Sequence, residues 1–217
     1  MPTIPPALLA LTAAVTAGLL AGCASAQAPH AGSTPAGGAS SNQAQHAGAG
    51  SSSAAAPSTV PGLNGVTVCQ SAALKVTMDA SQAGGAAGSV YYPVNFTNTS
   101  GTPCGLYGYP GMSFVTADGG SGTQIGAAAQ RDPAFGDLAV KLPAGGVAHA
   151  WLQVAEAGNY PASACQPTTA RWLRVFPPGD TAPAFVGVSF STCASASTPL
   201  LTVMPVRSGQ GMRGVTP

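Results

Sequence analysis

The chain has 217 residues, of which only 6% are charged, and its formal net charge is +1. A typical globular domain has about 25% charged residues. So small a net charge provides no field to attract a polyanion, which argues against nucleic-acid binding. All seven Lys and Arg residues and all six Asp and Glu residues lie at or beyond Lys75.

The N-terminus carries an uncharged, mostly apolar run over residues 6–21 that ends in small residues. This run is shorter than the roughly 20 apolar residues of a membrane-spanning helix and is typical of a secretory signal. The string Leu-Ala-Gly-Cys at residues 20–23 resembles a bacterial lipoprotein signal, although no Lys or Arg precedes the apolar run. The resemblance implies a signal peptide over residues 1–22 and acylation of Cys23. Two or more acyl chains on Cys23 would anchor the protein to the outer face of the cytoplasmic membrane.

Residues 23–61 are predicted to form a disordered tether after the lipidated cysteine. Between residues 24 and 58 the chain is mostly Ala, Gly, Ser, Pro and Gln, without aromatic or long aliphatic side chains. Such a segment buries too little apolar surface to offset the entropy of ordering it. As flexible coil it spans roughly 30–36 Å. We expect a folded domain over residues 62–206 and a flexible C-terminal tail over residues 207–217.

The folded domain is predicted to be all-β. Glycine and proline recur every 8–12 residues, and the segments between them alternate in polarity. This pattern is typical of an antiparallel β-sandwich, immunoglobulin-like in outline, with about eight strands. The expected strands cover residues 74–78, 89–97, 112–116, 137–142, 147–154, 172–176, 185–190 and 200–206.

Four cysteines remain once Cys23 is assigned to the lipid, and an oxidising compartment favours two disulfides among them. Three connectivities are open. A turn near residue 180 places Cys193 opposite residue 167, close to Cys165. A loop near residue 83 places Cys69 opposite residue 98, within reach of Cys104. The strand register therefore favours Cys69–Cys104 and Cys165–Cys193.

Three segments carry a family resemblance: residues 98–111 (Asn-Thr-Ser-Gly-Thr-Pro-Cys-Gly-Leu-Tyr-Gly-Tyr-Pro-Gly), residues 157–160 (Ala-Gly-Asn-Tyr) and residues 165–167 (Cys-Gln-Pro). Together they resemble a family of actinobacterial secreted and lipid-anchored proteins, the domain of unknown function 4232. The resemblance extends from about residue 69 to residue 206 and implies a β-sandwich in the cell envelope. It brings no catalytic residues with it. Gly105, where such proteins more often carry a polar residue, is a departure.

The segment between Gly105 and Gly111 is the candidate binding loop, with Leu106, Tyr107 and Tyr109 as its contact residues. Aromatic side chains on a rigid loop beside a disulfide can stack on a sugar or anchor a partner protein. The alternative is a buried corner, in which a tyrosine packs on the sandwich and its hydroxyl bonds to the backbone.

No catalytic residue, metal site or cofactor is predicted. The chain has no G-x-S-x-G, S-x-x-K or H-E-x-x-H motif, no C-x-x-C pair, and no histidine spaced to join a thiolate site. Asp132 and Asp137 are the only close pair of acids, and both are expected in turns. His149, two residues before Trp151, is expected to be either a surface histidine or one whose hydrogen bonds are satisfied, and not a general base.

Arg171 and Arg174 flank Trp172 and are interpreted as rim residues of the sheet, with an arginine–aromatic contact to Trp172 open. Three functions remain in view. The first is a non-enzymatic module that binds an envelope protein or a cell-wall glycan. The second is a carbohydrate- or solute-binding lipoprotein, and the third is a cell-wall hydrolase.

Overall fold

The computed structural model describes residues 58–212 and residue 214. The predicted signal peptide, Cys23 and the tether as far as residue 57 lie outside these residues. The described part contains thirteen strands, one helix of four residues (α1, Ala162–Cys165) and three short 3₁₀ turns. In chain order the strands are β1 Leu74–Met78, β2 Gly84–Ala86, β3 Ser89–Asn98, β4 Cys104–Tyr107, β5 Gly111–Val115, β6 Gln124–Ile125, β7 Gln130–Arg131, β8 Ala139–Leu142, β9 Val147–Ala155, β10 Pro167–Phe176, β11 Ala184–Cys193, β12 Leu201–Val203 and β13 Arg207–Ser208.

The strands form two main sheets and one small one, consistent with the expected all-β sandwich. The larger sheet has the order β1-β3-β9-β12-β7, with β2 also paired to β3 and β13 also paired to β9. The second sheet has the order β11-β10-β5-β6, and β4 pairs with β8 alone. All of these strand pairs are antiparallel except β12 with β7, which is parallel.

The core lies between the two main sheets and follows from the alternation of side chains along each strand. On β9 the residues Ala148, Ala150 and Leu152 are fully buried, and Phe114 and Leu173 face them from the second sheet. Tyr92, Phe114 and Phe190 extend this core as a chain of ring contacts, with centroids 5.0 and 5.1 Å apart.

The small sheet joins the core at the end of β3 through Asn98, which is fully buried. The Asn98 side-chain amide donates to the backbone carbonyls of Thr102, Leu142 and Pro143, and its oxygen accepts from the backbone and hydroxyl of Ser100. The predicted strand end is therefore also the polar junction between three strands, since leaving any of these groups unpaired would cost free energy.

The two disulfides are those favoured by the strand register. Cys165 bonds to Cys193, and the register pairs Pro167 with Cys193 as expected. Cys69 bonds to Cys104, but the register between β1 and β3 is shifted from the expected one because the chain reverses at Ala87 and Gly88, later than residue 83. Both turn residues have positive φ, as a two-residue hairpin requires.

Both expected limits of the folded domain, residues 62 and 206, are wrong. At the N-terminal side Val60 is 3% exposed and its N–H donates to the Val66 carbonyl. At the C-terminal side β13 pairs with β9, and the Gly211 N–H donates to the Asn95 side chain. The prediction of a flexible tail is wrong for residues 207–211, because backbone hydrogen bonds hold them on the sheet. No side-chain pattern reveals such bonds.

Candidate functional site

The structure separates the three contact residues of the predicted binding loop, whose first three residues, 105–107, belong to strand β4. Leu106 is 0% exposed and belongs to the core, so its assignment to a binding surface is wrong. The Tyr109 hydroxyl donates to the backbone carbonyls of Asp132, at 2.8 Å, and Phe135. Tyr109 thus matches the alternative of a buried corner. Tyr107 alone is well exposed, at 39%.

Gly105, the departure from the family pattern, has a packing reason. A Cβ on this residue would lie 2.9 Å from the Val60 side chain and close to Leu63 and Val66. The Gly105 N–H donates to the Thr67 carbonyl, and its own carbonyl accepts from the Cys69 N–H. The N-terminal segment, residues 58–68, therefore lies directly on β4, and only glycine permits that approach.

The outer face of the larger sheet is closed by the chain itself. Trp151 is 3% and His149 is 7% exposed, and their rings meet edge to face at 6.0 Å. The Nδ1 atom of His149 lies 2.9 Å from the Gly209 carbonyl oxygen, and Gly211 passes over His149 and Pro93.

The pKa of His149 is held below its ordinary value of 6.5, chiefly because burial disfavours the charged ring. The Gly209 carbonyl opposes this effect, and the positive charge of Arg207 adds to it. His149 is therefore a buried structural histidine with a backbone partner, the second of the two environments expected from the sequence.

The outer face of the second sheet is open, and we call its cluster of Trp172, Phe176, Phe185 and Arg174 the aromatic face. Trp172 pairs with Gly187 across the strands, and its ring lies 3.7 Å from the position that a Cβ on Gly187 would take. The Phe176 ring covers Gly111 in the same way, at 3.5 Å. Each ring rests on a glycine of the neighbouring strand and remains partly exposed.

Arg174 is fixed within the aromatic face. Its Nε donates to the Ser113 hydroxyl at 3.2 Å, and its Nη2 donates to the Gln124 side-chain oxygen at 3.0 Å. The guanidinium carbon lies 5.4 Å from the centre of the Phe176 ring, so the arginine–aromatic contact is with Phe176 and not with Trp172. Within residues 58–212, no carboxylate forms an ion pair with Arg174.

Beside the aromatic face lies an open groove of about 410 Å³, which we call the strand-end groove. β10 pairs with β5 only from Trp172 to Phe176, so the two strands separate on the N-terminal side of Trp172. A bulge between Ala170 and Trp172 on the β11 side places Arg171 at the mouth of the groove. The lining residues are Thr116, Gln124, Ile125, Thr168, Thr169, Arg171 and Ala194.

The aromatic face was missed at the sequence level, although a sign of it was present. Along β10 the buried Leu173 and Val175 alternate with Trp172, Arg174 and Phe176. Large aromatic residues at the positions expected to face solvent are unusual and mark an interaction surface.

The acids outside this face hold turns. Asp132 accepts the Ala134 N–H at 2.9 Å, whereas the Asp137 side chain lies beside Gly108. In the described part of the chain no group of three or more His, Cys, Asp or Glu side chains is placed to hold a metal ion. No helix in residues 58–212 has the length and apolar character to cross a membrane.

Fold and site together define an all-β, disulfide-linked domain with one open aromatic sheet face. Residues 69–207 match the family model described as Domain of unknown function (DUF4232), and the chain belongs to this family. The match encloses both disulfides and every strand from β1 to β12. No curated protein and no solved structure matches the chain.

Proposed function

We propose that this protein is a lipid-anchored binding module of the bacterial cell envelope, without enzymatic activity, that holds its partner on the aromatic face. Acylated Cys23 would fix it to the outer face of the cytoplasmic membrane, and the tether would let the domain reach its partner. The single observation that carries the binding role is the open aromatic face, where Trp172 and Phe176 are seated on glycines.

The chemistry of this surface supports binding. Tryptophan and arginine are the residues that most often dominate the free energy of an interface, and aromatic rings offer a large contact area at low entropic cost. Here the rings are held in place by Gly187 and Gly111, and Arg174 is held by Ser113 and Gln124. A surface whose side chains are already ordered loses little entropy when a partner binds.

The placement of the acids favours a binding module over a hydrolase. Asp79 and Asp132 accept backbone N–H groups two residues further along the chain. Asp180 accepts those of Ser71 and Ala182. Although burial raises the pKa of Asp180, its backbone hydrogen bonds outweigh this effect and lower the pKa below its ordinary value of 3.8. Such a carboxylate is a poor proton donor at neutral pH.

Crosslinking in intact cells with the full chain tests the proposed face. A Trp172→Ala variant should reduce the yield of the captured envelope component about tenfold or more, since loss of a central aromatic typically costs 2 kcal/mol or more, as a rough guide. Tyr107→Ala is the matched control, because Tyr107 is an exposed aromatic on β4. If Tyr107→Ala reduced capture and Trp172→Ala did not, the aromatic face would be the wrong surface.

The anchor is tested separately by fractionation. A Cys23→Ala variant should leave the membrane pellet and appear in the soluble fraction, because the acyl chains are the proposed attachment. Retention of this variant in the pellet would contradict lipid anchoring without affecting the proposed binding face.

A further inference from the structure

The strand-end groove is a polar notch built into the second sheet. On one side stands the hairpin that joins β5 to β6, which the Thr116 hydroxyl closes by accepting the Thr123 N–H at 3.0 Å. On the other side runs the first half of β10, which is paired with β11 alone. The walls are therefore two hydrogen-bonded strand pairs, and the groove is a preformed feature of the sheet.

Three side chains that line this groove have no partner among the described residues. The side chains of Thr168, Thr169 and Arg171 take part in no hydrogen bond, ion pair or ring contact with other described residues. The other polar lining groups differ, since Thr116 bonds to Thr123 and Gln124 accepts from Arg174. The lining of the groove thus includes two threonines and an arginine whose side chains have no partner among the described residues.

Among the described residues, Arg171 is the only charged one that lines the groove. Its planar guanidinium suits the oxygens of a carboxylate or a phosphate, which it can bind with two parallel hydrogen bonds. A groove of about 410 Å³ falls within the range of roughly 300–1,000 Å³ found for small-molecule sites.

We propose that the strand-end groove binds an anionic saccharide, with its carboxylate or phosphate on Arg171 and its hydroxyls on the threonines that line the groove. The groove adjoins the aromatic face, because Trp172 directly follows Arg171 along β10. This inference rests on the proposed function and names the class of ligand for its site.

A saccharide fits the groove better than an extended peptide does. The unpaired edge of β10 that borders the groove covers only residues 167–171, and it begins with Pro167, which has no N–H to donate. Strand addition on such a short edge would form few backbone hydrogen bonds, whereas peptides bound in this way depend on them for affinity.

Calorimetry on the full chain, in a detergent without a sugar headgroup, tests the groove. The probes are trigalacturonate, which carries carboxylates, maltotriose bearing a phosphate ester, and neutral maltotriose. We expect at least one anionic probe to bind about tenfold or more tightly than neutral maltotriose, as charge-assisted hydrogen bonds allow. Carboxylate and phosphate sources are distinguished by which of the two anionic probes binds.

Arg171→Gln should abolish the preference for the anionic probe, and Arg171→Lys should restore it only in part, because lysine keeps the charge but lacks the planar fork. Lys141→Gln is the matched control, since it removes one exposed positive charge from β8. Three results would overturn the inference. They are a preference for the anionic probe that persists in Arg171→Gln, an equal loss of this preference in Lys141→Gln, and tighter binding of an acidic peptide.

The two proposals fail in different ways. If no saccharide binds while Trp172→Ala still reduces capture in cells, the groove inference is overturned and the binding face survives. If Arg171-dependent saccharide binding is found while Trp172→Ala leaves capture unchanged, the groove stands and the proposed face is wrong.

Discussion

The two outer faces of the sandwich each carry a tryptophan, and the two tryptophans differ in how far they are buried. Trp151, on the larger sheet, is 3% exposed and packs edge to face on His149, which Gly211 covers. Trp172, on the second sheet, lies over Gly187 and stays partly exposed.

This difference shows that an aromatic side chain on the outer face of a sheet is not by itself evidence of a binding site. On the larger sheet Trp151 packs on His149, and His149 in turn contacts Gly209 and Gly211, so this surface is covered. On the second sheet the rings of Trp172 and Phe176 lie on Gly187 and Gly111 and stay partly exposed. The comparison therefore favours the second sheet as the proposed binding surface, and three changes would break the comparison or sharpen it.

The largest effect is expected from the tryptophans themselves. Trp151→Ala should lower the free energy of unfolding by about 3–5 kcal/mol, as is typical for a buried tryptophan. Trp172→Ala should lower it by only about 1 kcal/mol, because this ring is packed on one side. Urea unfolding measures both values. Equal losses would mean that the second face is as structural as the first.

A smaller loss of stability is expected when a methyl group is added between the C-terminal segment and the sheet. A Cβ on Gly211 would lie 2.4 Å from the Pro93 Cβ and 3.1 Å from the His149 ring, so Gly211→Ala must displace this segment. We expect a loss of about 1–3 kcal/mol, the usual cost of overpacking. Thermal unfolding and quenching of Trp151 fluorescence, in a Trp172→Phe background, would record it.

Gly136→Ala is the control for this change, because no atom lies within 4 Å of its added Cβ. Its effect should stay within about 0.5 kcal/mol. A Gly211→Ala protein as stable as the wild type, with Trp151 still shielded, would show that residues 209–211 do not close the first face.

The smallest effect concerns pH. Burial holds the pKa of folded His149 below the 6.5 of the ordinary group, so the unfolded chain takes up a proton first as the pH falls. The contribution of the neutral histidine is fully present above pH 6.5 and is lost as the pH falls through the folded-state pKa. Urea unfolding between pH 7.5 and 5 should show this loss.

His149→Asn keeps a donor near the Gly209 carbonyl but does not titrate in this range, so its stability should change less on acidification. A variant with the same pH dependence as the wild type would assign the effect to other groups.

Strands with clear alternation were predictable from the sequence, and short ones were not. The first predicted strand coincides with β1, and the second ends one residue before β3 does. β6, β7 and β13 have two residues each, too few for any period to be recognised. They exist because β5, β12 and β9 present free edges to them, and this depends on the tertiary fold.

The candidate site illustrates a similar limit. Its glycines make residues 105–111 resemble a loop, yet Gly105 serves the close approach of the N-terminal segment and Leu106 points into the core. The aromatic residues of β10 were visible as a pattern. Which of the two outer faces remains open is decided by residues 207–211, far from β10 in sequence, so no local pattern contains that information.

The covered face also bears on how the protein is made. Residues 207–211 follow every strand of the second sheet and all other strands of the larger one, and they lie over Pro93, Asn95 and His149. A growing chain that has synthesised β9 must leave this surface bare until about sixty further residues have emerged, since contacts distant in sequence form only after both partners exist. During synthesis the domain therefore passes through a stage in which the outer faces of both sheets are uncovered.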